Sequence, residues 1–108
     1  MELKTKIEML VSSGQIEWKK HTLQRMLERD ISRDAVKQAI LDGKIIEEYK
    51  NDYPFPSCLI ACVDNKKPLH VVVSYDEEKN ICYIITTYVP DTKYFLDDLI
   101  TRRKDETN

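Results

Sequence analysis

The residues best suited to chemistry in this sequence are three side chains at four-residue intervals: His21, Arg25 and Arg29. Four-residue steps on an α-helix bring side chains to one face, so an imidazole and two guanidinium groups would form a single stripe. Guanidinium groups bind phosphate through paired N–H donors, and histidine titrates near neutral pH. The stripe predicts an anion site with a proton-transfer group beside it. The alternative is a solvated helix face on which Glu28 or Asp30 pairs with the arginines.

The second histidine of the chain, His70, lies in a strongly β-branched segment. Alternation along a strand places it opposite the apolar residues Leu69 and Val71, which we expect to face helices. His70 would then lie on an open sheet face where a substrate could bind. The alternative is a half-buried histidine that hydrogen-bonds to a neighbouring strand. Tyr88 and Thr86 would add hydroxyl groups to the same surface, although periodicity does not determine which face of their strand is buried.

The three cysteines do not have the spacing of a metal site or a disulfide framework. Cys58 and Cys62 would share one face of a strand but lie about 13 Å apart at about 3.3 Å per residue, too far for one tetrahedral zinc shell. The chain has no paired histidine motif and only two glycines, which excludes a glycine-rich phosphate loop. We therefore predict no metal and no cofactor, with cysteines that pack as small apolar residues.

The composition predicts one folded domain over residues 1–108. Apolar residues make up 42% and charged residues 33% of the chain, and no apolar run approaches membrane-spanning length. The net charge is −2, so the basic excess of a dedicated nucleic-acid binder is absent and any polyanion site must be a local patch. The N-terminus lacks the apolar stretch of a signal peptide, and the odd cysteine number suits a reducing compartment. These features predict a cytoplasmic protein.

Helices are predicted in the first part of the chain, where they would carry the His21 stripe. Apolar residues there recur at three- and four-residue spacing. The predicted helices cover residues 2–13, residues 18–29, and the segment between Ser32 and Gly43. Gly14 ends the first helix, and Ser32 is a favourable N-cap for the third.

Strands are predicted in the second part of the chain, where β-branched residues dominate. The predicted strands cover residues 45–49, 58–63, 68–75 and 81–89. Short connections favour antiparallel neighbours, and a last helix is expected after Asp91, with a frayed end over residues 101–108. The prediction is an α+β fold in which N-terminal helices pack on a four-stranded antiparallel sheet and a C-terminal helix follows.

An ordered set of short motifs resembles a family of small bacterial and archaeal proteins of unknown function. The first motif runs from His21 to Ser32 and has the pattern H-x-x-x-R-M-x-x-R-x-I-S. The segments that follow it are residues 43–49 (GKIIEEY), 52–54 (DYP), 68–72 (PLHVV) and 85–90 (ITTYVP). This family is similar to the RelE/BrnT-like toxins of toxin–antitoxin pairs, and its members are often paired with zinc-finger, MqsA-like antitoxins.

The resemblance implies a RelE/BrnT-like fold and a metal-independent RNA endonuclease that cleaves messenger RNA with the 2′-hydroxyl as nucleophile. The matching positions imply catalytic residues His21, His70 and Tyr88 and substrate-binding residues Arg25, Arg29 and Thr86. The implied partners are an antitoxin protein and RNA, with no membrane. The alternative, in line with the acidic charge balance, is a non-catalytic protein-interaction domain of the same fold.

Overall fold

The computed structural model describes residues 2–63 and 67–104, which form helices first and most of a mixed sheet afterwards. The helices are α1 (Leu3–Ser12), α2 (Lys20–Glu28) and α3 (Arg33–Asp42). The strands are β1 (Ile16–Trp18), β2 (Lys44–Tyr49), β3 (Ser57–Cys62), β4 (Leu69–Asp76) and β5 (Ile81–Tyr88). None of the helices in these residues is long and apolar enough to cross a membrane.

The ends of α1 and α3 confirm the local signals in the sequence. The chain leaves α1 through Gly14, whose φ of +78° is in the left-handed region that favours glycine. At the start of α3 the Ser32 hydroxyl accepts a hydrogen bond from the backbone N–H of Ala35 at 3.0 Å. The predicted glycine after α3, Gly43, does not have a positive φ and is instead required by close packing. A Cβ atom there would lie 2.5 Å from the Ala39 carbonyl oxygen and 2.6 Å from that of Ala61.

The sheet has five strands in the order β1-β5-β4-β3-β2, so the prediction of four antiparallel strands was wrong. The additional strand, β1, pairs in parallel with β5, with Ile16 opposite Cys82 and Trp18 opposite Ile84. Strands β2 to β5 form the predicted antiparallel meander. Helix α2 consequently begins at Lys20 and not at Trp18. Three residues are too few to show strand alternation, and their pairing partner is distant in sequence.

The apolar core lies between the helices and one face of the sheet. Helix residues such as Ile7, Val36 and Ile40 are fully buried against it. The sheet contributes one alternating set of side chains, which includes Cys58, Ile60, Val71, Val73 and Ile84. As predicted from the alternation of β4, Leu69 and Val71 face the helices and His70 faces the other side.

The predicted C-terminal helix was wrong, because residues 90–104, here called the C-terminal segment, form turns and one β-bridge. Asp91 accepts a hydrogen bond from the backbone N–H of Lys93, and Asp98 accepts from those of Ile100 and Thr101. Such local side-chain bonds compete with helical hydrogen bonding. The expected fraying does not extend to residues 101–104, since Phe95 pairs with Arg102. Residues 105–108, and residues 64–66 between the predicted strands at 58–63 and 68–75, lie outside the described residues.

Candidate functional site

The structure pairs His70 with Tyr88 on the sheet face opposite the helices. His70 is 0% exposed, and its Nε2 atom lies 2.7 Å from the Leu99 carbonyl oxygen. A carbonyl oxygen can only accept, so Nε2 carries the proton and Nδ1 is left as an acceptor. The Tyr88 hydroxyl lies 3.3 Å from Nδ1 and donates to it. The Phe95 ring packs edge-on against the imidazole, with centroids 4.7 Å apart, so the C-terminal segment covers His70. The prediction that His70 lies on an open sheet face was therefore wrong, and the alternative of a histidine hydrogen-bonded to a neighbouring strand is closer to the structure.

Burial keeps this pair uncharged. Burial lowers the pKa of His70 more than the Leu99 carbonyl raises it, and the nearby Arg102 charge lowers it further. Burial likewise raises the pKa of Tyr88. The result is a half-buried phenol that donates to a neutral imidazole, an arrangement through which a proton can pass from Tyr88 to His70.

An ion pair between Glu47 and Arg102 joins the edge strand β2 to the C-terminal segment. The Arg102 Nε and Nη2 atoms lie 3.0 and 3.1 Å from the two carboxylate oxygens of Glu47. This pairing lowers the pKa of Glu47 and raises that of Arg102. The Tyr49 hydroxyl also donates to Glu47, and burial raises the pKa of Tyr49 to about 12. Glu47 uses two of the five guanidinium N–H groups, which leaves others for a second anion.

A cleft of about 360 Å³ at the end of β5 gives access to Tyr88 and Arg102. Its lining also includes the exposed ring of Tyr94 and the buried ring of Phe95. A neighbouring groove shares Arg102 and is lined in addition by Arg103 and Lys104. The acidic chain therefore carries a local cationic patch beside the His70–Tyr88 pair.

The structure does not bring the His21 stripe to the cluster formed by His70, Tyr88, Glu47 and Arg102. His21 is exposed, and within residues 2–63 and 67–104 its side chain makes no hydrogen bond or ion pair. Arg25 lies 3.8 Å from the Glu28 carboxylate. Arg29 turns to the edge of β5, where its Nη1 atom donates to the Thr87 carbonyl at 2.8 Å and lies 3.5 Å from the Thr86 hydroxyl.

The contact of Arg29 with β5 has a structural cause. Strand β1 pairs with β5 only as far as Ile84, so beyond that point β5 has no partner strand on the side away from β4. Helix α2 and the residue that follows it supply donors instead: the Thr22 hydroxyl donates to the Ile84 and Ile85 carbonyls at 3.2 and 3.0 Å, and Arg29 donates to Thr87. Among the predicted site residues, the structure thus unites His70 with Tyr88 and Arg29 with Thr86.

Sequence reasoning missed Glu47, Arg102 and Tyr94. Alternation along β2 places Glu47 and Tyr49 on one face, but nothing local indicates that this face meets a distant arginine. A usable signal was the run of three basic residues at 102–104, because a local patch is what an acidic chain requires to bind a polyanion.

The cysteines lie in the core, away from this site. Cys58, Cys62 and Cys82 are all buried. Burial raises the pKa of Cys58 and of Cys82 to about 12, so these thiols are protonated and poorly nucleophilic. In the part of the chain that the structure describes, no group of three His, Cys, Asp or Glu side chains is placed to hold a metal ion.

Fold and site together define an α+β protein with a histidine–tyrosine pair buried against a mixed five-stranded sheet. The chain belongs to a family described as a domain of unknown function (DUF4258), whose profile matches residues 18–89, more than half of the sequence. The matched region contains Glu47, His70 and Tyr88 and ends before the C-terminal segment that carries Arg102. No curated protein sequence matches the chain. The prediction that the chain belongs to a family of unknown function is therefore confirmed.

Proposed function

We propose that the protein is a metal-independent RNA endonuclease with a RelE/BrnT-like fold, acting in the cytoplasm as the toxin of a toxin–antitoxin pair. The observation that carries the proposal is the Tyr88 hydroxyl, which donates to the neutral His70 imidazole beside a cleft that also contains Arg102. A proton acceptor and a guanidinium at one cleft are the groups that cleavage of RNA by its own 2′-hydroxyl requires.

In the proposed reaction the 2′-hydroxyl attacks the adjacent phosphorus. Tyr88 takes the 2′-hydroxyl proton while its own phenolic proton passes to Nδ1 of His70. The O2′–P bond forms, the P–O5′ bond breaks, and the leaving 5′ oxygen takes a proton from water. The products are a 2′,3′-cyclic phosphate and a 5′-hydroxyl end. Burial and the Arg102 charge lower the pKa of His70, and the Glu47 charge offsets part of this lowering, which favours the imidazolium that forms.

In this scheme the cationic patch holds the phosphate. N–H groups of Arg102 that Glu47 does not use would stabilise the charge on the phosphorane. Arg103 and Lys104 would neutralise neighbouring phosphates, and the exposed Tyr94 ring offers a surface on which a base can stack. His70 is fully buried and therefore acts through Tyr88 without touching RNA.

A second candidate function is a non-catalytic protein-interaction domain of the same fold. The specific observation in its favour is that Leu99 and Phe95 seal His70 and that Glu47 already pairs with Arg102. In that case the cluster fastens the C-terminal segment to the sheet, and the cationic patch binds an acidic partner.

The direct test is cleavage of single-stranded RNA by purified protein in the presence of a metal chelator. We expect products with 2′,3′-cyclic phosphate ends. Tyr88→Phe removes only the hydroxyl and should lower the cleavage rate about a hundredfold or more. Tyr75→Phe, a matched change on β4 at the helix-covered face of the sheet, should retain the rate. Intact RNA, or equal rates for Tyr88→Phe and the unchanged protein, would support the interaction domain instead.

A cellular test separates the cluster from the α2 stripe. Inducible expression should arrest growth, and the predicted zinc-finger antitoxin partner should relieve the arrest. The proposal expects Tyr88→Phe to abolish the arrest and the double change His21→Ala with Arg25→Ala to retain it. If only the double change abolishes the arrest, the active residues lie on α2.

A further inference from the structure

A second groove, of about 320 Å³, lies on the sheet face that carries His70 and Tyr88. Its floor includes Val72 and Ser74 of β4 and Tyr83 and Ile85 of β5. The loop after β2 forms a wall with Asp52, Tyr53, Pro54 and Phe55, and Lys19 closes the side next to α2. None of these residues belongs to the cluster described above. We refer to this site as the aromatic groove.

The aromatic groove offers aromatic ring surface that is not buried within the fold. The rings of Phe55 and Tyr83 are parallel within 6°, with centroids 5.7 Å apart. Tyr53 is 95% exposed, and within the described residues none of the ring contacts involves it. Tyrosine is a large amphipathic residue, and such a ring left in water at the rim of a groove is available for a flat ligand.

A cationic group lies beside these rings. The Lys19 ammonium is 5.9 Å from the centroid of the Tyr83 ring. Positive charge next to aromatic faces is the combination with which proteins bind single-stranded nucleic acid, because bases stack on the rings and phosphates meet the cations.

We propose that the aromatic groove binds a nucleobase of single-stranded RNA, from the same strand whose phosphate enters the Tyr88 cleft. The inference rests on the proposed function for that second contact. Tyr83 and Tyr88 both lie on β5, about 16 Å apart at about 3.3 Å per residue, so one extended RNA strand can reach both sites. The Asp52 carboxylate and the Ser57 hydroxyl, which donates to it, provide polar groups for the edge of the base.

Binding can be measured apart from cleavage with a fluorescein-labelled 2′-O-methyl single-stranded oligonucleotide, which lacks the attacking hydroxyl. Fluorescence anisotropy should show binding that Tyr53→Ala weakens by about fivefold or more, the effect of losing one stacked ring. Tyr53→Phe retains the ring and should bind as the unchanged protein does. Leu27→Ala is the matched control, because Leu27 is 83% exposed on α2 and its loss should leave binding unchanged.

Salt dependence and strandedness give two independent readouts. Lys19→Gln should reduce the slope of log affinity against log salt by about 0.7, the value for one phosphate contact on a single strand. A duplex of the same sequence should bind more weakly, since its bases are already stacked. Equal binding of Tyr53→Ala and the unchanged protein, or equal binding of duplex and single strand, would overturn the inference.

The outcomes also distinguish this inference from the proposed function. Binding of the 2′-O-methyl probe that depends on Tyr53, without cleavage of ordinary RNA, would support the aromatic groove and count against the endonuclease. Cleavage that depends on Tyr88, with probe binding that is indifferent to Tyr53, would support the endonuclease and overturn the aromatic groove.

Discussion

The two histidines of the chain have opposite environments, and this contrast governs what each can do. His70 is fully buried, with both ring nitrogens hydrogen-bonded, whereas His21 is exposed on α2. A buried imidazole with a defined tautomer has a definite partner for proton exchange. An exposed imidazole on a solvated helix face does not. In the proposed reaction the acid–base role therefore belongs to the pair formed by His70 and Tyr88.

Replacing each histidine by alanine should separate their structural roles. His70→Ala leaves a cavity and removes the hydrogen bonds to Leu99 and Tyr88, so we expect the free energy of unfolding to fall by about 2–4 kcal/mol. His21→Ala should change it by less than about 0.5 kcal/mol, as is usual for surface positions. Urea denaturation followed by circular dichroism measures both values. A similar loss for the two variants would show that His70 is not held as described.

The lowered pKa of His70 predicts how stability depends on pH. Unfolding restores an ordinary pKa near 6.5, so below that pH the unfolded chain binds a proton that the folded protein does not. Stability should therefore fall as the pH drops from about 6.5 toward the lower folded-state pKa. Glu47 adds a loss at lower pH, since its folded pKa is below 4.5. Urea denaturation between pH 7 and 5 measures the loss of stability caused by His70, and this loss should vanish in His70→Gln. If it persists in that variant, another group causes it.

At the scale of elements, the connections between helices and strands determine where the site residues lie. Helix α3 passes directly into β2 through Gly43, which brings Glu47 onto the sheet face opposite the helices. Gly43 permits this because the Ala39 and Ala61 carbonyls approach it closely. Gly14, in contrast, adopts a positive φ with open space around it. The two glycines thus serve different purposes, close packing at one and backbone conformation at the other.

Alanine at the two glycines should therefore have unequal effects. Gly43→Ala places a methyl group against two backbone carbonyls that cannot move without shifting α3 or β3, and we expect a loss of about 3 kcal/mol or more. Gly14→Ala meets no atoms and incurs only the left-handed strain, about 1–2 kcal/mol. Thermal unfolding of the two variants tests the order. If Gly14→Ala is the more damaging change, the close approach at Gly43 is not a constraint.

At the scale of the whole molecule, one sheet separates two surfaces with different roles. The helix-covered face holds the apolar core and the three cysteines, and the other face holds the His70–Tyr88 pair, the aromatic groove and the C-terminal segment. The parallel pairing of β1 with β5 joins the N-terminal part of the chain to the strand that comes last in sequence. Opening of the core should therefore require separation of the helices from the sheet.

The buried thiols report on that opening. Cys58 and Cys82 are each 0% exposed, and burial raises the pKa of both to about 12. We expect a thiol reagent such as dithionitrobenzoate to react slowly with the native protein and rapidly once urea unfolds it. A Tyr53→Cys variant, with its thiol at an exposed position, should gain one fast-reacting group. Fast modification of the unchanged native protein would contradict a core that opens as a unit.

The sequence by itself determined the features that depend on neighbours along the chain. The hydroxyl cap at Ser32 and the left-handed turn at Gly14 follow from local hydrogen bonding and backbone sterics. The alternation of β4 likewise placed His70 opposite the apolar set. The α+β class followed from these signals, because helical spacing and β-branched runs occupy separate parts of the chain.

Only the tertiary structure decided the rest, because it depends on residues that are far apart in sequence. Nothing near Ile16 indicates that β5 will pair with it, and local turns at Asp91 and Asp98 form where the sequence predicted a helix. The join between Glu47 and Arg102 likewise exists only once the C-terminal segment folds back over the sheet. The candidate site is made of such distant contacts, so local patterns oriented His70 but indicated neither the face on which Tyr88 lies nor the groups that surround the pair.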